Sequence, residues 1–244
     1  MKSINILGVK VNNITMNEAV VCAFNYLSED GKNVIYTPNS EIILAASNDS
    51  EFTEILNSAD LIIPDGIGVV YGSKILGQPL PERVAGFDLV CLLFEKMAQA
   101  GKSVYLFGAK PGVAETAAEK LKEKYKGLVI AGTNDGYFKD EDDEKIIAKI
   151  NEAAPDFLMV CLGFPKQEKW IYKYKDVLNA KLMIGAGGCI DVFAGNVMRA
   201  PDFYCKHGLE WFYRLMKQPS RFVRMLALPK FGLKVLFKGR SYKD

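Results

Sequence analysis

From residue 33 to residue 200 the chain alternates short β-branched or apolar runs with longer segments of helical periodicity, a rhythm that leaves few architectures open to it. Strand and amphipathic helix in repeated succession bury their apolar faces as an α/β layer structure around a largely parallel sheet. Strands are predicted at 33–37, 60–63, 103–107, 128–131, 156–161 and 181–184, after a short ribbon around Ile4 to Val11. Thr15 and Glu18 have the spacing of a capping box ahead of Met16, Val20, Phe24 and Leu27, which recur at helical intervals. Further helices are predicted at 40–48, 50–58, 66–76, 87–100, 112–125, 141–153 and 166–177. The expected fold is therefore a Rossmann-like α/β core over residues 1–200.

After Pro201 the pattern changes. Aromatic and aliphatic residues interleave with Arg and Lys, and Pro219 and Pro229 are expected to cut the stretch into three short helices. Residues 203–244 carry ten Lys/Arg against Glu210 and Asp244, a net +8, while residues 1–202 sum to −6. Residues 201–244 thus read as a separate basic, amphipathic appendage, whose natural partner is anionic. In its last segment Lys230, Lys234 and Lys238 fall on one stripe, the composition of a helix lying in a membrane interface; a helical layer docked on the core with solvated charges has the same pattern.

No uncharged apolar run reaches the ~18 residues a membrane span needs. The segment MKSINILGVKV lacks the features of a secretory signal, so the chain is expected to stay in the cytoplasm. The five cysteines (22, 91, 161, 189 and 205) are widely spaced and the single histidine is His207, which argues against zinc, a disulfide framework or Cys/His catalysis.

In an open parallel sheet ligands bind beyond the carboxyl ends of the strands. The turns there are Thr37-Pro38-Asn39-Ser40-Glu41, Pro64-Asp65-Gly66-Ile67-Gly68, Gly108-Ala109-Lys110-Pro111-Gly112, Gly136-Tyr137-Phe138, Gly163 to Glu168, and Gly185-Ala186-Gly187-Gly188. Neither GxGxxG nor GxxxxGK[ST] occurs, so neither a dinucleotide fingerprint nor a P-loop is supported. Asp65 ends an apolar strand with no basic neighbour in sequence, which suits a general base and equally a cap on the next helix. Thr37 and Asn39 fit either the site or cap and turn roles around Pro38. Arg83 is placed to clamp an anionic substrate or to pair with Glu82 or Asp88. Asp140-Glu141-Asp142 matches the DxD of metal-dependent sugar transfer in letters, but reads as acidic residues at a helix N-terminus. Asp191 is a candidate acceptor for a ribose hydroxyl or base N–H, or a cap; Tyr137 is a candidate to stack on a base, or to pack.

Taken together, TPNSE, PDGIG, RVAGFD, LFGAKPG, GYF, GFPKQEKW and GAGGCIDVFAG, with a tail running EWFYRL to PSRFVRM, resemble the WecG/TagA/CpsF family of bacterial glycosyltransferases over almost the whole chain. The resemblance implies transfer of N-acetylmannosamine from UDP-N-acetylmannosamine to undecaprenyl diphosphate-linked N-acetylglucosamine, in making the linkage unit of wall teichoic acid. It implies inversion to a β-linked product at the inner face of the cell membrane, with the enzyme peripherally bound. Asp65 matches the family's base position, with Thr37 and Asn39 beside it. Gln167 and the Gly187 and Gly188 amides would hold the diphosphate, and Gly108, Tyr137 and Asp191 would border the uridine. The leaving group needs cations. With the DxD discounted, Arg214, Arg221 and Arg224, which match the family's tail arginines, would supply them without a metal cofactor. Sister donors, UDP-N-acetylmannosaminuronic acid or UDP-glucose, fit the same motifs; a nucleotide-binding module with an RNA-binding tail is the reading from another class, although no nucleic-acid partner is expected. Apolar surface on a tail not held by a membrane would favour homo-oligomers.

Overall fold

The computed structural model describes residues 1–242, except that the side chains of Lys206, Arg221 and Arg240 lie outside the described residues. The chain opens with an antiparallel hairpin, β1 (Ser3–Ile6) and β2 (Val9–Asn12), followed by α1 (Met16–Tyr26), whose Thr15 and Glu18 close the expected capping box. The core then runs β3 (Asn33–Tyr36), α2 (Ser40–Ala46), α3 (Ser50–Asn57), β4 (Leu61–Ile62), α4 (Ile67–Ile75) and α5 (Gly86–Gln99). It continues through β5 (Ser103–Gly108), α6 (Val113–Lys124), β6 (Val129–Asn134), α7 (Asp143–Ala153), β7 (Phe157–Cys161), α8 (Lys166–Tyr174), β8 (Leu182–Gly185) and α9 (Cys189–Phe193). The appendage supplies α10 (Asp202–Lys206), α11 (Glu210–Lys217), α12 (Phe222–Met225) and α13 (Ala227–Lys238).

Strands β3 to β8 form one six-stranded parallel sheet in the order β4-β3-β8-β7-β5-β6. Apart from the edge strand β6, which is only partly buried, its strands are short and largely apolar because both faces are covered. Successive residues feed opposite layers with the period of two that a pleated strand imposes: Phe157 and Met159 face one way, Leu158 and Val160 the other. The first layer holds α1, α5, α6 and α9. The second holds the hairpin, α2, α3, α4, α7, α8 and α13. The chain therefore leaves β3 toward the second layer and the adjacent β8 toward the first. Such a reversal opens a crevice at the carboxyl ends of neighbouring strands.

The appendage differs from its expected form in two places. Pro229 does not break a helix: it sits in the first turn of α13, where its missing N–H removes no intrahelical bond. Nor do the lysines form a free stripe. The ammonium of Lys234 donates to Ser47 O (3.0 Å), Ser47 Oγ (2.8 Å) and Asn48 Oδ1 (2.7 Å), satisfying the carbonyl end of α2. On the same helix Phe231 (2% exposed) and Val235 pack α13 onto α2 and α4. Gly72 of α4 makes room for this, since a Cβ there would stand 3.0 Å from the Phe231 ring. Phe231→Ala is expected to lower unfolding free energy by about 3 kcal/mol, measured by urea denaturation, and to expose the α13 amides to hydrogen exchange.

Among the described residues no helix is long and apolar enough to cross a membrane.

Candidate active site

Asp65 stands just past β4, and its geometry follows from the turn that holds it. Its own N–H bonds back to Ile63 O (3.0 Å), and Gly66, at φ +101°, turns the chain into α4 against the Asn39 side chain. Glycine is needed there because an L side chain is strained at that φ. Asp65 does not cap α4; the Gly86 N–H at the start of α5 lies near its carboxylate and favours the charged form. It is packed among protein atoms on most sides, while 29% of the side chain still reaches solvent. Burial pushes the carboxyl up, Arg83 opposes it, Glu210 adds to it, and Arg214 and the Gly86 N–H oppose it further; the result is about 6.

Neither sequence neighbour is the partner of Arg83. Glu82 instead accepts from the Met16 N–H (2.6 Å), and Asp88 pairs with Arg199. Arg83 Nη2 donates to Glu210 Oε2 at 2.6 Å and stands 3.6 Å from Asp65 Oδ1. The other oxygen of Glu210 pairs with Arg214, one turn on along α11. An alternating series of carboxylate and guanidinium thus runs from the end of β4 into the appendage. Sequence reasoning missed Glu210. Its only signal was that it is a lone carboxylate in a strongly basic stretch.

The neighbouring turns complete the crevice. Thr37, just past β3, donates from Oγ1 to Gly185 O at the end of β8 (3.0 Å), and its methyl group packs against Gly86. Asn39 caps α2, accepting from the N–H groups of Glu41 and Ile42. Gln167 is 2% exposed and spends its amide within the protein, Oε1 taking the Gly187 N–H (3.0 Å) and Nε2 donating to Glu168 (2.8 Å). It shapes the Gly185–Gly188 turn from behind. A Cβ on Gly187 or Gly188 would meet nothing within 4 Å, so this turn borders open space.

Further along the sheet, Ala109, Lys110, Gly136, Tyr137, Cys161, Leu162 and Asp191 line a cleft of about 220 Å³. Gly108 is obligatory at its edge, because a Cβ there would stand 2.3 Å from Cys161 O. Tyr137 and Asp191 are thus brought together, with the exposed Tyr137 ring at the rim. From β4 to β5 is four strand spacings, about 19 Å, so this cleft and Asp65 stand well apart along the carboxyl edge of the same sheet.

Arg214 lies near enough to act on the Asp65 charge, and Arg224 grips Glu41 through Nε (2.9 Å) and Nη2 (3.1 Å) at the start of α2. The Arg221 side chain lies outside the described residues. In the acidic run, Asp143 is buried and accepts from Trp170 Nε1 (2.9 Å) and Tyr174 OH (2.6 Å), tying α7 to α8. Among the described residues no group of three or more His, Cys, Asp and Glu side chains is arranged to hold a metal ion.

Comparison with known proteins places this architecture. The model of the WecG/TagA/CpsF glycosyl transferase family matches residues 4–244. An N-acetylglucosaminyldiphosphoundecaprenol N-acetyl-beta-D-mannosaminyltransferase from Bacillus spizizenii is 43% identical over 216 residues, covering 88% of this chain and 83% of that protein. The protein of the same description from Bacillus subtilis is 40% identical over 90% of this chain and 85% of its own. That from Staphylococcus aureus (strain MRSA252) is 35% identical over 98% and 94%.

Proposed function

The chain belongs to the WecG/TagA/CpsF family of glycosyl transferases, and from that membership we propose that it transfers N-acetylmannosamine from UDP-N-acetylmannosamine to undecaprenyl diphosphate-linked N-acetylglucosamine, a step in making the linkage unit of wall teichoic acid. The observation that carries the reading is the Asp65 carboxylate, with a raised proton affinity, at the carboxyl edge of the sheet beside the guanidiniums of Arg83 and Arg214. One base is what an inverting displacement needs. Asp65 takes the proton of the acceptor hydroxyl; that oxygen forms its bond to the anomeric carbon of the donor from the face opposite the nucleotide. The bond from that carbon to the diphosphate oxygen breaks, and UDP leaves with its electron pair. Thr37 and Asn39 flank the base. The uridine end is assigned to the Gly108, Tyr137 and Asp191 cleft, and the diphosphate to the Gly187 and Gly188 turn that Gln167 supports.

Charge on the departing UDP is met by Arg214, Arg221 and Arg224 in place of a metal; guanidinium holds diphosphate bidentately and is always charged. The appendage also gives the enzyme its membrane contact. Phe203, Phe212, Phe222, Val223 and Phe237 are exposed, as are Lys217, Lys230 and Lys238 in the same stretch, the composition of a surface that enters the headgroup region of an anionic bilayer. On this reading the protein works at the cytoplasmic face of the membrane, where the lipid acceptor is held.

The test is UDP release from UDP-N-acetylmannosamine with the lipid-diphosphate N-acetylglucosamine in vesicles, chelator present throughout. Acceptor-dependent release at least ~10-fold above that with UDP-glucose or UDP-N-acetylglucosamine is expected. Faster turnover of either control donor would overturn the donor assignment, and loss of activity to chelator would overturn the metal-free reading.

A further inference from the structure

We propose that Glu210 is a positioning residue through which the docked appendage sets the basicity of Asp65 and holds Arg83 and Arg214 at the mouth of the site. The inference rests on the assignment of Asp65 as the base. Glu210 opens α11, and its carboxylate is only 13% exposed. Its two oxygens are divided, one to Arg83 of the core and one to Arg214 of the appendage. Arg83 is in turn shared between two carboxylates, and the same Nη2 lies 2.6 Å from Glu210 and 3.6 Å from Asp65. Glu210 is winning that competition.

Two consequences follow for Asp65. While Glu210 holds the guanidinium, Asp65 is spared a close ion pair, which would occupy it and weaken it as a base. Glu210 also contributes its own negative charge, which opposes ionisation of a second nearby carboxylate. Arg83 is poised to shift, since its Nε is buried without a hydrogen-bond partner and gives the side chain no second anchor. The groups facing Asp65 are Arg83 from the loop before α5, Glu210 and Arg214 from α11, the Gly86 N–H and, from α9, Cys189. Those facing Glu210 are Arg214, Arg83 and Arg199, with Cys205 from α10. Burial opposes ionisation of Glu210, but the three arginines outweigh it and hold its carboxyl below the usual range. Glu210 therefore acts as a fixed charge across the pH range in which Asp65 titrates.

Because Glu210 belongs to the appendage, the base reaches its working proton affinity only when α11 is docked. This ties the chemistry of β4 to the segment that meets the lipid.

The experiment is a 13C NMR titration of the Asp65 carboxyl in the full chain, its signal identified by its loss in Asp65→Asn, compared in wild type, Glu210→Gln and Arg83→Gln. Removing Glu210 is expected to lower the Asp65 pKa by about one unit, and removing Arg83 to raise it by about one unit, with the acid limb of the kcat/KM profile moving the same way. The opposite signs matter because simple undocking of α11 exposes Asp65 and lowers its pKa in either variant. An unmoved pKa in Glu210→Gln, or a fall in both variants, overturns the proposal. If the pKa values move as expected while no rate profile follows them, the electrostatic coupling stands and the assignment of Asp65 as base fails.

Discussion

Asp65→Asn is expected to lower turnover by two to four orders of magnitude while leaving UDP affinity nearly unchanged, roughly the contribution of a positioned general base. The amide keeps an oxygen for the Gly86 N–H and nearly the same volume, but cannot take the acceptor's proton. It is also expected to stabilise the fold at neutral pH. The carboxyl titrates at about 6 in the folded chain against an ordinary value of 3.8, so the folded protein favours the neutral form. Stability lost to this charge is absent below pH ~4, grows as pH rises between the two values, and is complete above about 6. Two pKa units correspond to ~3 kcal/mol at full burial, reduced here because part of the side chain reaches water. Thermal melts at pH 8 and pH 4 check this: the mutant melts higher at pH 8, with the advantage fading at pH 4. A mutant with near-normal turnover would remove Asp65 from the mechanism.

Removing residues 201–244 is expected to cost at least ~100-fold in UDP release with a vesicle-borne acceptor. The deletion strips the crevice of Glu210, Arg214 and Arg224 together, and each arginine bound to a departing phosphate contributes on the scale of a lost oxyanion donor. It also uncovers the apolar seat of Phe231 and Val235 on α2 and α4, so a gentler variant separates chemistry from folding. Val223→Glu with Phe237→Glu alters two exposed side chains and leaves the docked face intact. Each buried apolar side chain is worth ~1.5–3 kcal/mol, so vesicle binding should weaken by at least ~100-fold, with turnover on a detergent-soluble acceptor retained. Unchanged vesicle sedimentation of this variant would take the membrane contact away from the appendage.

Much of the core was legible because its physics is local. Strands buried on both faces read as continuous apolar runs, and caps such as Thr15 with Glu18 announce themselves within four residues. Helix α9 was invisible: at five residues it is too short to display a period. Pro229 misled because a proline within a helical pattern reads as a break unless it is known to lie in the first turn. Lys234 looked like part of a solvated stripe because the carbonyl it satisfies lies 187 residues away, at Ser47.

The candidate site divides along the same line. Asp65 was findable from its place at a strand end. Its environment was not, because Arg83 meets Glu210 across 127 residues, and no spacing rule reaches that far. Gln167 shows the converse: its motif marked it as important, and only the fold shows that its amide is spent on the Gly187 turn.

The most direct test of the account is the pH dependence of kcat/KM for UDP release from UDP-N-acetylmannosamine with the lipid acceptor in vesicles. With Asp65 acting as a base that titrates at about 6, the rate is expected to rise tenfold per pH unit below that value and to level off above pH ~7. A profile flat from pH 5 to pH 8 would contradict it.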